Sequence, residues 1–421
     1  MAPLNFASTS LFTRTPTRRV VVGWAVLRLC SLPWIVRPMV KWLRHSTAAR
    51  VGSLLDPTVW LSRWLIFPHF CAGEQIADAG RARADMGGVS VLLDHSVEEG
   101  ESDVDWETNL ANKLELLRRC EEVGGVVGVP VKPTSLVAPQ LLEELTVAMV
   151  RAESSGDDAE LVVERALTAD PLMRSAFDAA DRNLAVLCAE AQRARVPLLL
   201  DAEQSHRQPA IDFFAQRLQA RFNCEACGFA TVSNTYQMYL ADAPRRVARD
   251  LARAQRDGYV HGAKLVRGAY IVDERAREAA PGDVVLRSKD CVDAAYDAAS
   301  ATLLAAVASA NAASPAPRIV LATHNPESVR AAAEEMERLA IPDGDANVHF
   351  AQIMGMADNV TYALHGAGYN ASKLVLFGDF TQVFPWLLRR IDENGDMLSA
   401  ASQQREADLL AMEVRRRLGI A

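Results

Sequence analysis

The chain has 421 residues, half of them hydrophobic and 23% charged, with a formal net charge of −8. That length and apolar content support a buried core without disulfide or metal staples and exclude global disorder. An acidic balance also argues against nucleic acid as a partner, because neutralising phosphates needs a basic face.

Charge is unevenly placed along the chain. Eight basic residues, from Arg14 to Arg50, precede the first acidic one, Asp56. Residues 1–55, rich in Arg, Ser and Thr, therefore read as a flexible mitochondrial targeting segment, or else as a basic arm at a surface. The apolar run Val20–Val40 is interrupted by Arg28, Arg37 and two prolines, which speaks against a membrane span. Residues 56–85 read as a helical lead-in. The seven cysteines are odd in number and scattered, as in a reducing compartment. Cys224 and Cys227 form a lone CxxC without the further ligands a structural zinc requires.

From residue 86 a single rhythm runs through the chain. Short aliphatic runs end in a polar residue and are followed by stretches with helical spacing. The strand candidates are Val89–Leu93, Val126–Val131, Pro197–Leu200, Ala230–Ser233, Gly262–Val266, Arg318–Ala322, Val348–Ala351 and Lys373–Leu376. Helical patterns separate them, among them Trp106–Val123, Gln208–Phe222, Ala243–Asp257 and Cys291–Ala312. Such alternation implies parallel pairing through right-handed crossovers, and eight units predict a (βα)₈ barrel over 86–421. The long connection at about 133–196 predicts a helical insertion. Met397–Leu418 reads as a closing helix whose last-turn arginines complement its dipole.

In such a barrel, chemistry belongs at the carboxyl ends of the strands. There the sequence places Glu98, Lys132, Asp201, Gln237, Lys264, His324, Asn325 and Gln352, with Arg389 and Arg390 after the last strand. Paired guanidinium forks suit a carboxylate. Lys132 and Asp201, on neighbouring strands, are placed to pair across the rim. No GxGxxG follows a strand and no phosphate loop of the GxxxxGK[ST] type occurs, so any dinucleotide must be held in the barrel mouth.

Several ordered segments carry a resemblance. They are Leu199-Leu-Asp-Ala-Glu-Gln204, Asn234-Thr-Tyr-Gln-Met-Tyr239, Gly262-Ala-Lys-Leu-Val-Arg-Gly-Ala-Tyr270, Ala322-Thr-His-Asn325, Phe350-Ala-Gln-Ile-Met-Gly-Met356 and Pro385-Trp-Leu-Leu-Arg-Arg-Ile-Asp-Glu-Asn394. Together they resemble the FAD-dependent proline dehydrogenase (proline oxidase) family, its eukaryotic mitochondrial branch in particular, over about residues 86–420. The resemblance implies a distorted (βα)₈ barrel with FAD in its mouth, oxidising L-proline to 1-pyrroline-5-carboxylate. It further implies electron transfer to ubiquinone at the matrix side of the mitochondrial inner membrane, with peripheral membrane association. By motif, Arg389 and Arg390 clamp the substrate carboxylate, Lys132 lines the pocket in an ion pair with Asp201, and Tyr270 packs on the ring. Glu98 pairs with one arginine when the lid closes. Gln237, Lys264, Val266, Gly268, Thr323, His324, Asn325 and Gln352 correspond to flavin-side positions; no metal is implied.

The chain departs from the family pattern after the last strand. Many relatives have Tyr-Val-Pro-Tyr-Gly, whereas this one has Leu374-Val-Leu-Phe-Gly378, so Leu374 replaces a tyrosine against the substrate ring. Preference between proline and 4-hydroxyproline or another cyclic amine is therefore open. Three readings of other classes compete. They are a Schiff-base enzyme using Lys264 or Lys132, a metal-dependent hydrolase using Asp201 and His324, and a catalytically silent binding protein.

Overall fold

A computed structural model describes residues 4–32, 34, 38, 57–95, 103–155, 159–224, 229–278, 282–311, 314–384, 386 and 401–420. Nine parallel strands organise it: β1 (Cys71–Gly73), β2 (Ser90–His95), β3 (Val126–Val131), β4 (Leu198–Leu200), β5 (Val232–Gln237), β6 (Gly262–Val266), β7 (Arg318–Ala322), β8 (Val348–Ile353) and β9 (Ala371–Phe377). Strands β2 to β9 pair in sequence order and β9 returns to β2, closing an eight-stranded barrel. Closure leaves no free edge, and each crossover carries a helix that covers the outer face.

Side chains alternate across the barrel wall. Leu92, Leu199, Val320 and Ala351, with Leu374 packed against them, fill the interior. Their strand neighbours face two larger clusters beneath the helices, one around Val91, Val129, Leu198 and Val375 and the other around Tyr236, Leu265, Leu321 and Phe350. All eight sequence-read strands are present. The fourth of them, read at Ala230–Ser233, is displaced to β5, Val232–Gln237, because its polar side chains find partners in the outer layer. Asn234 Nδ2 donates to Asp212 at 2.9 Å, and the Tyr236 hydroxyl donates to Asp250 at 2.9 Å. The insertion is a 3₁₀ turn, Pro133–Ser135, and three helices, Pro139–Ser155, Ala159–Ala169 and Pro171–Ala194. The helix Lys289–Ala308 is long and apolar enough to cross a membrane, yet it buries Val292, Tyr296, Leu303 and Leu304 and belongs to the outer ring.

Two features lie outside the sequence reading. First, β1 pairs with the end of β9, Cys71 opposite Leu376 and Gly73 opposite Phe377, beyond the point where β8 stops. Second, residues 4–32 pack against the rest of the chain. The helix Thr17–Cys30 buries Val20, Gly23, Val26, Leu27 and Cys30 at helical spacing, and Phe12 is buried edge-on against Tyr362. This segment packs on the closing helix Ala401–Leu418, which contributes Ala407, Leu409 and Leu410 to the same cluster. Gly23 permits the crossing, since a Cβ there would lie 3.3 Å from both His69 and Leu410. The contact is fastened at its ends: Arg28 pairs with Asp408, and Arg417 donates to the Phe12 carbonyl at 2.7 Å.

The closing helix also anchors on the barrel. Its Glu406 accepts from the backbone N–H groups of Ala357 (2.9 Å) and Asp358 (2.7 Å) at the N-terminus of helix Asp358–Gly366. Those donors are the orphan N–H groups of a helix start, and a carboxylate complements them. Burial, and next the neighbouring Asp358 carboxylate, push Glu406 up to about 7. Lys373, fully buried, pairs with Asp358 at 2.6 Å and donates to the Met356 carbonyl at 2.6 Å.

Candidate active site

Strand alternation aims Lys264 of β6 and Ser233, Thr235 and Gln237 of β5 into the barrel, because Val232, Tyr236, Ala263 and Leu265 occupy the outward positions. Lys264 is buried, and its ammonium donates to Asp201 just past β4. This corrects the expected Lys132–Asp201 couple. A buried ammonium requires a counter-charge, whereas Lys132 is half-buried at the rim and is better solvated. The Lys132 charge instead favours the ionised form of Glu203.

Glu203 is buried; it lies within the segment Leu199–Gln204, but the resemblance gave it no role. It accepts from both the backbone N–H and the hydroxyl of Thr134, each at 2.9 Å. It thereby fixes the 3₁₀ turn that begins directly after Lys132. Burial raises its carboxyl above the ordinary range, against the Thr134 bonds and the Lys132 charge. Its position in Asp201-Ala-Glu203 was the signal available, since a carboxylate two residues past a strand-end Asp lies on the same rim. Glu274 has no comparable signal. Buried in helix Ile271–Arg277, it accepts from the backbone N–H and hydroxyl of Ser205, both at 2.6 Å. That bond ties the helix whose N-cap is Tyr270 to the loop after β4.

The loop after β6 is held by Gln237, whose Nε2 donates to the Glu203 carbonyl (2.7 Å) and whose Oε1 accepts from Ala269 N–H (3.1 Å). Gly268 takes φ +128°, and a Cβ there would overlap the Tyr239 ring at 1.8 Å, so the turn admits only glycine. Val266 ends β6 on the mouth side, half-buried. Arg267, turned outward, donates to Asp293 at 2.8 Å, to Ser328 at 2.9 Å and to Thr323, and lies 4.6 Å over the Tyr296 ring.

Thr323, His324 and Asn325 follow β7. Thr323 Oγ1 is committed to Arg267 and to the Asn325 N–H. Asn325 caps helix Pro326–Arg338 by accepting from Glu327 N–H at 3.0 Å. His324 Nε2 accepts from Ile353 N–H at 3.0 Å. Spent in that way, Nε2 is unsuited to ligate a metal. Lys264, engaged by Asp201, is equally unsuited as a Schiff-base nucleophile.

Gln352 is not brought to the mouth. Ala351 occupies the inward position, so the next residue turns outward. Its Nε2 donates to the Thr323 carbonyl at 3.0 Å and its Oε1 accepts from Thr361 at 2.7 Å. Leu374 lies on the inner wall of β9. Asp94, at the end of β2, pairs with buried Lys113 at 2.7 Å; desolvation raises its carboxyl, and Asp201 adds to that rise. Glu98, Arg389 and Arg390 lie outside the described residues.

These features define a (βα)₈ barrel with a built polar mouth at the carboxyl ends of its strands. A family model described as Proline dehydrogenase matches residues 78–403, and the chain belongs to that family of oxidoreductases. It is 32% identical over 425 residues to the Hydroxyproline dehydrogenase of Bos taurus, covering 93% of this chain and 89% of the relative. It is 29% identical over 446 residues to Proline dehydrogenase 1, mitochondrial, of Arabidopsis thaliana, covering 98% and 86%. Among solved structures, proline utilization A (PutA) from Bdellovibrio bacteriovorus superposes with a TM-score of 0.63 at 19% identity, covering 80% of this chain. The match spans 34% of that longer protein, so the likeness is one of fold.

Proposed function

We propose that this chain binds FAD in the barrel mouth and oxidises L-proline to 1-pyrroline-5-carboxylate, its electrons leaving to ubiquinone at the matrix side of the mitochondrial inner membrane. The observation that carries the reading is the ion pair of buried Lys264 with Asp201 inside a barrel whose family model runs from residue 78 to 403. The mouth suits a flavin in its donor set. Lys264 stands on an inward position, and the buried Ser233 and Thr235 hydroxyls on the same inner wall have no hydrogen-bond partner. Bound there, FAD supplies the hydride acceptor.

The chain's own residues bind and orient. Arg389 and Arg390 clamp the substrate carboxylate, and Lys132, steadied by Glu203 and Thr134, places a second positive charge beside it. Tyr270 packs on the pyrrolidine ring, and Glu98 meets one arginine as the mouth closes. Asp201 is engaged by Lys264, so the substrate amine gives its proton to water. Holding the reacting C–H in one pose is the protein's main contribution to rate. The relatives named mitochondrial support the compartment.

A second reading, 4-hydroxyproline as the preferred substrate, is favoured by Leu374 in the inner wall and by the relatives named hydroxyproline dehydrogenase. One experiment separates the two. The purified protein is expected to be yellow, and anaerobic L-proline is expected to bleach its flavin bands. A colourless protein, or bands that no cyclic amino acid bleaches, overturns the proposal. The Leu374→Tyr variant is expected to shift the ratio of kcat/KM for proline to that for 4-hydroxyproline by about tenfold, the scale of one altered hydrophobic contact.

A further inference from the structure

Large aromatic side chains are normally buried, and contiguous exposed ones mark contact surfaces. Among the described residues, the tryptophans exposed by more than a third are Trp24, Trp34, Trp60 and Trp64, all within one stretch of 41 residues of chain. Trp60 is 55% and Trp64 61% exposed. They lie one turn apart on the continuous helical segment from Pro57 through Ile66, whose opposite face buries Val59, Ser62 and Ile66. The segment is thus amphipathic in an unusual sense: its solvent face is the more aromatic one. Helix Thr17–Cys30, which touches this segment, also exposes Val21 and Trp24, and Leu32 is exposed just past its end.

The position of this face matters as much as its chemistry. Arg63 pairs with Glu74 at 3.0 Å and lies 5.5 Å over the Phe380 ring, and Phe67 packs edge-on to Phe380 at 5.4 Å. Phe380 follows the mouth end of β9. The aromatic face therefore borders the barrel mouth. Its charge is also distinctive: up to Trp64 the chain carries nine basic residues and a single acidic one, Asp56.

We infer that the Trp60–Trp64 face is a membrane-docking surface that seats the rim of the barrel mouth on an anionic lipid bilayer. Tryptophan favours the headgroup level, where its ring is half apolar and its N–H is hydrated. The basic excess of the sequence up to Trp64 adds attraction to anionic lipid that weakens with salt. The inference deepens the proposed function and rests on it for its purpose. An acceptor dissolved in the bilayer would be presented at the rim next to β9, with no need for the protein to cross the membrane.

The test is flotation of the full-length protein with vesicles of phosphatidylcholine alone or with 30% cardiolipin by charge (about the anionic content needed for a negative surface potential). Turnover with a water-soluble dye is measured in parallel. The wild type is expected to float with the anionic vesicles, and Trp60→Ser/Trp64→Ser to lower the bound fraction at least tenfold with dye-linked turnover unchanged. Both side chains are exposed, so the variant should fold. Equal flotation of variant and wild type overturns the inference, as does a wild type that binds neither vesicle. A wild-type dimer that the variant converts to a monomer, without a flotation difference, also overturns it and assigns the face to a second copy. Loss of flotation in a protein with no dye-linked turnover supports the surface while removing the proposed reaction.

Discussion

Lys264 and Lys132 show how two lysines at one rim come to differ. Lys132 follows the run Val126–Val131, whereas Lys264 lies inside the strand Gly262–Val266. Lys264 sits within β6 on an inward position, so its ammonium is buried and must take the nearest carboxylate, Asp201. Lys132 sits one residue past β3 at a turn and keeps access to water. Replacing Lys264 by Met leaves Asp201 uncompensated. Loss of a buried partner costs about 3–5 kcal/mol, and because the Asp201 side chain is 37% exposed about 1–2 kcal/mol is expected here. Lys264→Met should therefore lower the urea midpoint modestly but lose most flavin absorbance relative to protein, and Asp201→Asn should restore part of the stability in the double variant. An unchanged absorbance ratio would remove Lys264 from the flavin site. Partner choice of this kind depends on strand level and burial, which spacing alone does not encode. For the same reason Gln352 was legible as a strand-end residue while its outward turn was not.

At the scale of elements, the barrel strands were readable because buried parallel strands are near-continuous apolar runs. The N-terminal helix was not. Its arginines and absent acids read as a targeting segment, while the buried stripe Val20, Gly23, Val26, Leu27 and Cys30 has meaning only opposite the closing helix. If that packing is part of the fold, Phe12→Ala should destabilise the protein by about 3 kcal/mol, read as a lower urea midpoint, with exposed Arg14→Ala neutral. The closing helix makes a separate prediction. Glu406 is raised from the carboxyl range to about 7, so its contribution to stability is complete in acid, below the unfolded value near 4.5, and is lost as pH rises through 7. Asp358 is shifted the other way and loses its contribution only in stronger acid. Glu406→Gln should flatten the fall in the urea midpoint between about pH 5 and 7.5, by at most about 3 kcal/mol. A wild-type profile already flat over that range would contradict the assignment.

For the whole molecule, the resemblance carried the family and the barrel, and the structure supplied what joins its beginning to its end. Strand β1 fills the place beside β9 that β8 vacates, and the closing helix lies on the segment from Phe12 to Cys30. Pairings so distant in sequence are slow to form, and the wall cannot be finished until the last strand has been made. The same adjacency has a converse. Because Arg417 grips the backbone at Phe12, a short linker of about ten residues could bridge the two ends into a ring. The exposed turn at Ala310–Asn311, below β7 and away from the mouth, is the place to cut that ring. Such a circular permutant should fold with its flavin and keep its turnover. In it the first residues to leave the ribosome would be those of β7, so that the order of synthesis, unlike the finished architecture, would be new.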